Sequence, residues 1–221
     1  MTDTVITVRG EFSAWYPAER ATVVASIQMD GAARDEVFSR ATAAADEVRE
    51  SIELLHNSSN GPVTWWSSDS VRVWSERPWS NEGTQLDLVY SAAIGYRVKF
   101  SDFAALALWV ETVSAIEGGT VSSVSWDLTE ATRNAAITEV RSRSVKDAVT
   151  KASVFAQSIG LGSVTAVALA DPGMLGEQGS SPSPIAEARM MKAMNDSGGS
   201  LQLKPEEIEV ASVVDARFLA R

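Results

Sequence analysis

His56 is the single imidazole in a chain of 221 residues, and no cysteine accompanies it. Nucleophilic catalysis of the Ser-His-Asp kind needs that imidazole in a cleft beside a serine. His56 lies instead in a polar run, His56-Asn57-Ser58-Ser59-Asn60-Gly61. It follows a predicted helix, whose C-terminal dipole favours the charged ring. A structural role therefore outweighs a catalytic one. Without cysteine there is no thiolate nucleophile, disulfide or thiolate metal site, and no D-x-D-x-D-G calcium loop occurs. Asp127 with Glu130, and Glu206 with Glu207, read as surface or helix-end charges. A carboxylate enzyme needs two acids in one cleft with their pKa values pushed apart, and no spacing marks such a pair. Gly160-Leu161-Gly162 has the wrong polarity for a phosphate cradle, which runs from strand through glycine loop to helix N-terminus. Asn57-Ser58-Ser59 and Asn195-Asp196-Ser197 match glycosylation sequons, and as the sequence is written both are expected to be chance matches. The residues thus mark no catalytic, cofactor-binding or metal-ligating set.

The aromatic residues are more informative. Trp65, Trp66, Trp74 and Trp79 fall on one predicted hairpin arm, with Tyr90 and Tyr96 on its partner. Such residues bury large areas, so core packing is one reading. The other is an interface between subunits, where Trp and Tyr act as anchors. These six are the candidate interface residues, with Trp74 and Trp79 expected in a subunit contact.

The elements that position them follow from hydrophobic period. Residues 5–12 read as a strand, Pro17 as part of the connection, and residues 21–29 as a second strand with Ala21, Val23, Ala25, Ile27 and Met29 on one face. Residues 32–55 predict a helix with Val37, Ala41, Ala44, Val48, Ile52 and Leu55 inward. Residues 63–77 are extended, and 78–83 form a hairpin loop. Residues 86–100 alternate so cleanly that a full strand would span roughly 50 Å, long enough to bend or to reach beyond its own core. Ser101 is the expected cap of a helix with Phe103, Leu106, Val110, Val113 and Ile116 on its stripe. Strands follow at 121–128, 164–170 and 208–219, with a helix over 129–159.

That last helix carries Ser144, Ala148, Ala152 and Ala156 at steps of four, a low ridge that admits close packing onto a sheet. Lys146 and Lys151 are expected to point outward. Gly160 suits the positive φ of a helix end. Residues 171–200 are rich in Gly, Ser and Pro, a flexible excursion with a short helical possibility at 184–194. The element order is β-β-α-β-β-α-β-α-β-β. It predicts an α+β protein with mainly antiparallel sheet. A ferredoxin-like split βαβ first part is followed by a long helix and two further strands. One domain over 1–221 is expected, with subdomains at 1–128 and 129–221 as the finer division.

Apolar residues make up 45% of the chain, enough for a substantial core. The net charge of −10 argues against nucleic acid and anionic membranes as partners. The longest apolar stretch, residues 104–110, is far short of the ~20 residues needed to cross a bilayer. The opening MTDTVITVRGEF has neither a basic leader nor an apolar core segment.

Taken in order, four segments resemble the SIMPL-domain (DUF541) family, typified by bacterial periplasmic immunogenic proteins. They are ITVRGEFSAWYPAERATVVASI, GYRVKFSDFAAL, RSRSVKDAVTKASVFAQSIGLGSV and PEEIEVASVVDARFLAR. The resemblance implies links to the bacterial cell envelope and stress responses, kinase-linked adaptors in animals, and ring-like assemblies in some members. The family has no agreed catalytic residues to transfer. Most bacterial members begin with a signal peptide, a pattern from which the sequence as written departs; a cytoplasmic location is therefore expected as written, and a periplasmic or envelope one if a leader has been removed. The expected function is a non-enzymatic homo-oligomeric assembly or adaptor protein without a cofactor, whose partners are itself and, as a further option, other proteins, with no insertion into a membrane. The alternative is a small-molecule or lipid carrier with a pocket between the helices and the aromatic sheet face.

Overall fold

The structure, a computed structural model, describes residues 4–81, 83–175 and 203–221. The elements are β1 (Thr4–Pro17), β2 (Arg20–Gly31), α1 (Arg34–Leu55), β3 (Val63–Ser68), β4 (Arg72–Glu76), β5 (Val89–Phe100), α2 (Phe103–Ala115), β6 (Gly119–Asp127), α3 (Glu130–Ser158), β7 (Val164–Ala170) and β8 (Glu207–Ala220). The fold class is α+β, and every pairing of named strands is antiparallel.

The chain divides into two compact units. One holds β2, α1, β3, β4, β5, α2 and β6, whose sheet runs β3-β5-β2-β6 with β4 also on β5. This order puts β5 between β2 and β3, the strands that α1 joins. The alternation of β2 produces that core directly: Ala21, Val23, Ala25, Ile27 and Met29 are all buried. The even positions of β5 from Ala92 to Phe100 join them. α1 supplies Val37, Ala41, Val48 and Ile52, and α2 supplies Leu106, Trp109, Val110 and Val113. Each fully buried Val, Ile or Leu among them stabilises by about 1.5–3 kcal/mol relative to exposure.

The other unit holds β1, α3, β7 and β8. Its sheet runs β1-β8-β7, with the two ends of the chain paired from Thr4↔Ala220 to Pro17↔Glu207. In this unit β1, from the start of the chain, belongs with β8, from its end. Local periodicity identifies a strand but not a partner some 200 residues away, so that pairing left no mark in the sequence. α3 lays Ser144, Ala148, Ala152 and Ala156 on this sheet, all buried. Thr129 caps α3, its hydroxyl accepting from the Thr132 N–H at 3.3 Å. At its other end Gly160 takes φ +80°, a conformation open to glycine at little cost.

Three expectations change in detail. Pro17 ends β1 instead of lying in a connection. The cap of α2 is Asp102, whose Oδ1 accepts from the Ala104 and Ala105 N–H groups at 2.8 and 3.1 Å. Ser101 is held elsewhere: its hydroxyl donates to the Gly61 carbonyl at 2.8 Å, tying the end of β5 to the turn before β3. The strand expected over 86–100 begins only at Val89, because the Leu86 N–H turns back to the Pro78 carbonyl at 2.8 Å. Of the excursion expected at 171–200, residues 176–200 lie outside the described residues, as do the helical possibility at 184–194 and the Asn195 sequon.

Candidate interaction surface

β5 decides where the aromatic residues go. Its even side chains enter the core, so its odd ones (Ala93, Arg97 and Lys99) face the side away from α1 and α2. Cross-strand partners share a face. Trp66 opposite Val98 and Val73 opposite Ala92 therefore turn inward, and both pack partly buried against the core. Trp65 opposite Lys99 and Trp74 opposite Ser91 turn outward. A register irregularity between Val63 and Trp65 makes this possible, because it lets buried Val63 and outward Trp65 occur two residues apart.

The six candidate residues thus separate. Tyr96 is 4% exposed and belongs to the core, which removes it from any surface. Its hydroxyl donates to the Ala45 carbonyl of α1 at 2.9 Å, and burial pushes its phenol up to about 12. Tyr90 is half-buried against the same core, like Trp66. Trp74 is half-buried, with the Arg72 guanidinium 5.2 Å from its ring centre, a cation–π contact. Trp65 and Trp79 remain as large exposed surfaces, 47% and 68% accessible. Trp79 lies beyond β4 and makes an isolated bridge to Gln85.

The arm expected over 63–77 is one sheet edge in two pieces. β3 pairs with the far half of β5, and β4 with its near half. Between them the Asp69 N–H donates to the Gly95 carbonyl at 2.9 Å. A Cβ at Gly95 would stand 2.7 Å from the Asp69 carboxylate, so the Asp69 side chain lies directly over Gly95 on the outward face. The outward face of this edge also carries Arg72, Arg97 and Lys99, none of which forms an ion pair among the described residues. Sequence reading missed these three cations, although the strict alternation of 86–100 already assigned Arg97 and Lys99 to the face opposite Tyr96 and Val98.

The other chemistry weighed from sequence finds its place. His56 closes α1: its backbone N–H donates to the Glu53 carbonyl at 3.3 Å, and it bridges to Val63. Among the described residues no three His, Asp or Glu side chains gather as a metal site would need. The shifted carboxylates belong to surface ion pairs. Asp215 is held low by its hydrogen bond from Arg9, and Asp147 by its hydrogen bond from Lys151. Lys151, expected outward, leans over the edge of β1. Its ammonium donates to the Arg9 carbonyl at 3.1 Å, while Asp147 accepts from the Glu11 N–H at 2.9 Å. The α3 pair thereby satisfies two backbone groups of an edge strand, a recognised guard against unwanted pairing.

No curated protein matches the chain. The profile of the SIMPL family, described as "Protein of unknown function (DUF541)", matches residues 6–218. That span takes in both units, from the paired termini to the aromatic sheet edge, and the chain belongs to the SIMPL family.

Proposed function

We propose that this protein is a non-enzymatic assembly protein that works as a homo-oligomer through the outward face and edge of its five-stranded sheet. One observation carries the reading: Trp65 on β3 and Trp79 just beyond β4 stand largely exposed at a sheet edge that has no further strand beside it among the described residues. An open edge is a template for pairing with another chain. Exposed tryptophan is the side chain most enriched among the anchors of protein interfaces. The contrast with β1, whose edge Asp147 and Lys151 cover, supports the same assignment. No helix among the described residues is long and apolar enough to cross a membrane.

Light scattering on the full chain at micromolar concentration tests this. A mass above the monomer is expected, falling toward the monomer when Trp65 and Trp79 are both changed to Ala. A monomeric unsubstituted protein overturns the reading. The carrier alternative has one feature in its favour, an open cleft of about 390 Å³ beside α3, lined by Ser144, Val145, Leu169 and Val214. That cleft uses none of the six aromatic residues and lies in the other unit, so assembly is the better supported reading.

A further inference from the structure

If copies of this chain meet at the outward sheet face, the charge pattern indicates what they meet it with. The chain carries a net charge of −10, so two copies repel on average and a contact needs local complementarity. The outward strip of β3, β4 and β5 supplies positive charge. Arg72, opposite Ala93, stands at one end, and Arg97 and Lys99 at the other, with Trp74 and Trp65 beside them and Asp69 between.

The complementary pattern lies on α1. Its inner face is the buried one of Val37, Ala41, Ala44, Val48 and Ile52. On its outer face Glu36, Arg40, Ala43, Glu47, Glu50 and Leu54 recur at alternating steps of four and three, which places them in one stripe. Arg40 is occupied by an ion pair with Glu117, whereas Glu36, Glu47 and Glu50 form none among the described residues. Leu54, at the end of the stripe, is 88% exposed. The dimensions also agree. From Glu36 to Glu50 a helix rises about 21 Å, and from the Arg72 row to the Lys99 row a strand runs about 20 Å.

Resting on the self-assembly reading, we infer that α1 of a second copy lies along this strip. Glu36 is directed at Arg72, Glu47 and Glu50 at Arg97 and Lys99, and Leu54 at Trp65. The inner face of α1 and the strip lie on opposite sides of the same sheet. Each copy therefore offers both halves of the contact on different surfaces, and the interface is head-to-tail. It adds copies in sequence, and high salt weakens it by screening the charge pairs.

The experiment reverses charge on one half at a time and reads mass by light scattering, with circular dichroism to confirm folding. Glu47→Arg with Glu50→Arg is expected to give monomer, and so is Arg97→Glu with Lys99→Glu. All four substitutions in one chain are expected to restore the oligomer. A disulfide gives a second readout that does not depend on tolerated charge reversal. Because the chain lacks cysteine, Glu47→Cys combined with Arg97→Cys is expected to cross-link only between copies. A monomeric unsubstituted protein overturns self-assembly and this contact together. An oligomer whose mass survives both reversals, with no disulfide between copies, overturns this contact and leaves self-assembly standing.

Discussion

The two units bury a helix on a sheet by opposite means. In the unit of β2 to β6, α2 fills space with the large side chains Leu106, Trp109, Val110 and Val113, and Trp109 is held 5.5 Å from Phe100 with its indole N–H donating to Ser51 at 3.0 Å. In the unit of β1, α3, β7 and β8, the helix presents Ser144, Ala148, Ala152 and Ala156 and comes down onto Gly10. A Cβ at Gly10 would stand 2.1 Å from the Ser144 carbonyl oxygen and 2.8 Å from the Ala148 methyl. A core built of large residues is vulnerable to removal of atoms, and a core built by close approach is vulnerable to their addition.

The largest effect is expected from removal. Trp109→Ala should cost about 3–5 kcal/mol in urea unfolding, the usual range for an aromatic residue deleted from a packed interior. A cost nearer that of removing one methylene would mean the large-residue core collapses around the gap, and the contrast would weaken. Addition comes next. Gly10→Ala and Ala152→Leu should each destabilise by about 1–3 kcal/mol through overpacking, although both are mild changes by composition. Thermal melts unchanged by either would show that α3 can lift from β1 without loss.

Tyr96 sharpens the comparison from the polar side, because the large-residue core contains its hydroxyl. Tyr96→Phe should cost about 1 kcal/mol, since the Ala45 carbonyl keeps its helical hydrogen bond. The phenol is raised from 10.0 to about 12, by burial first and the Asp46 charge second, so the folded state retains the proton longer than the unfolded chain. Its contribution is therefore whole below pH 10 and drains away as pH rises toward 12. Melting temperatures of the two proteins taken across that window should converge. Parallel curves would place the alkaline loss on other groups.

The smallest effect on stability is expected at the guarded edge. Asp147→Asn together with Lys151→Met should leave the melt nearly unchanged, because exposed ion pairs contribute little. It should speed hydrogen exchange at the Glu11 amide, whose N–H now donates to Asp147. Unaltered exchange would show that α3 covers the edge by its backbone position alone.

Much of this was legible beforehand for one physical reason: a buried face imposes its period on the sequence. Ala21 to Met29 and Ala92 to Phe100 alternate because one side of each strand is dry, and the four-residue ladder of α3 is visible because only small residues fit it. The candidate surface was half legible. Tryptophans at positions 65, 66, 74 and 79 announced an unusual edge, but their directions depend on the irregularity near Thr64 and on pairing with β5. Lys151 was misjudged for the same reason. On an isolated helix it points outward, whereas Gly10 lets the helix so close that the side chain reaches the edge of β1.

Local patterning was enough to assign most helices and strands, their apolar faces and the α+β class, because these are properties of neighbours a few residues apart. Tertiary structure alone decided that β1 joins β8, that Tyr96 is core while Trp65 is surface, and that Arg72, Arg97 and Lys99 share one face. Those outcomes depend on register between strands far apart in the chain, and a one-residue shift in register would turn every side chain to the other side.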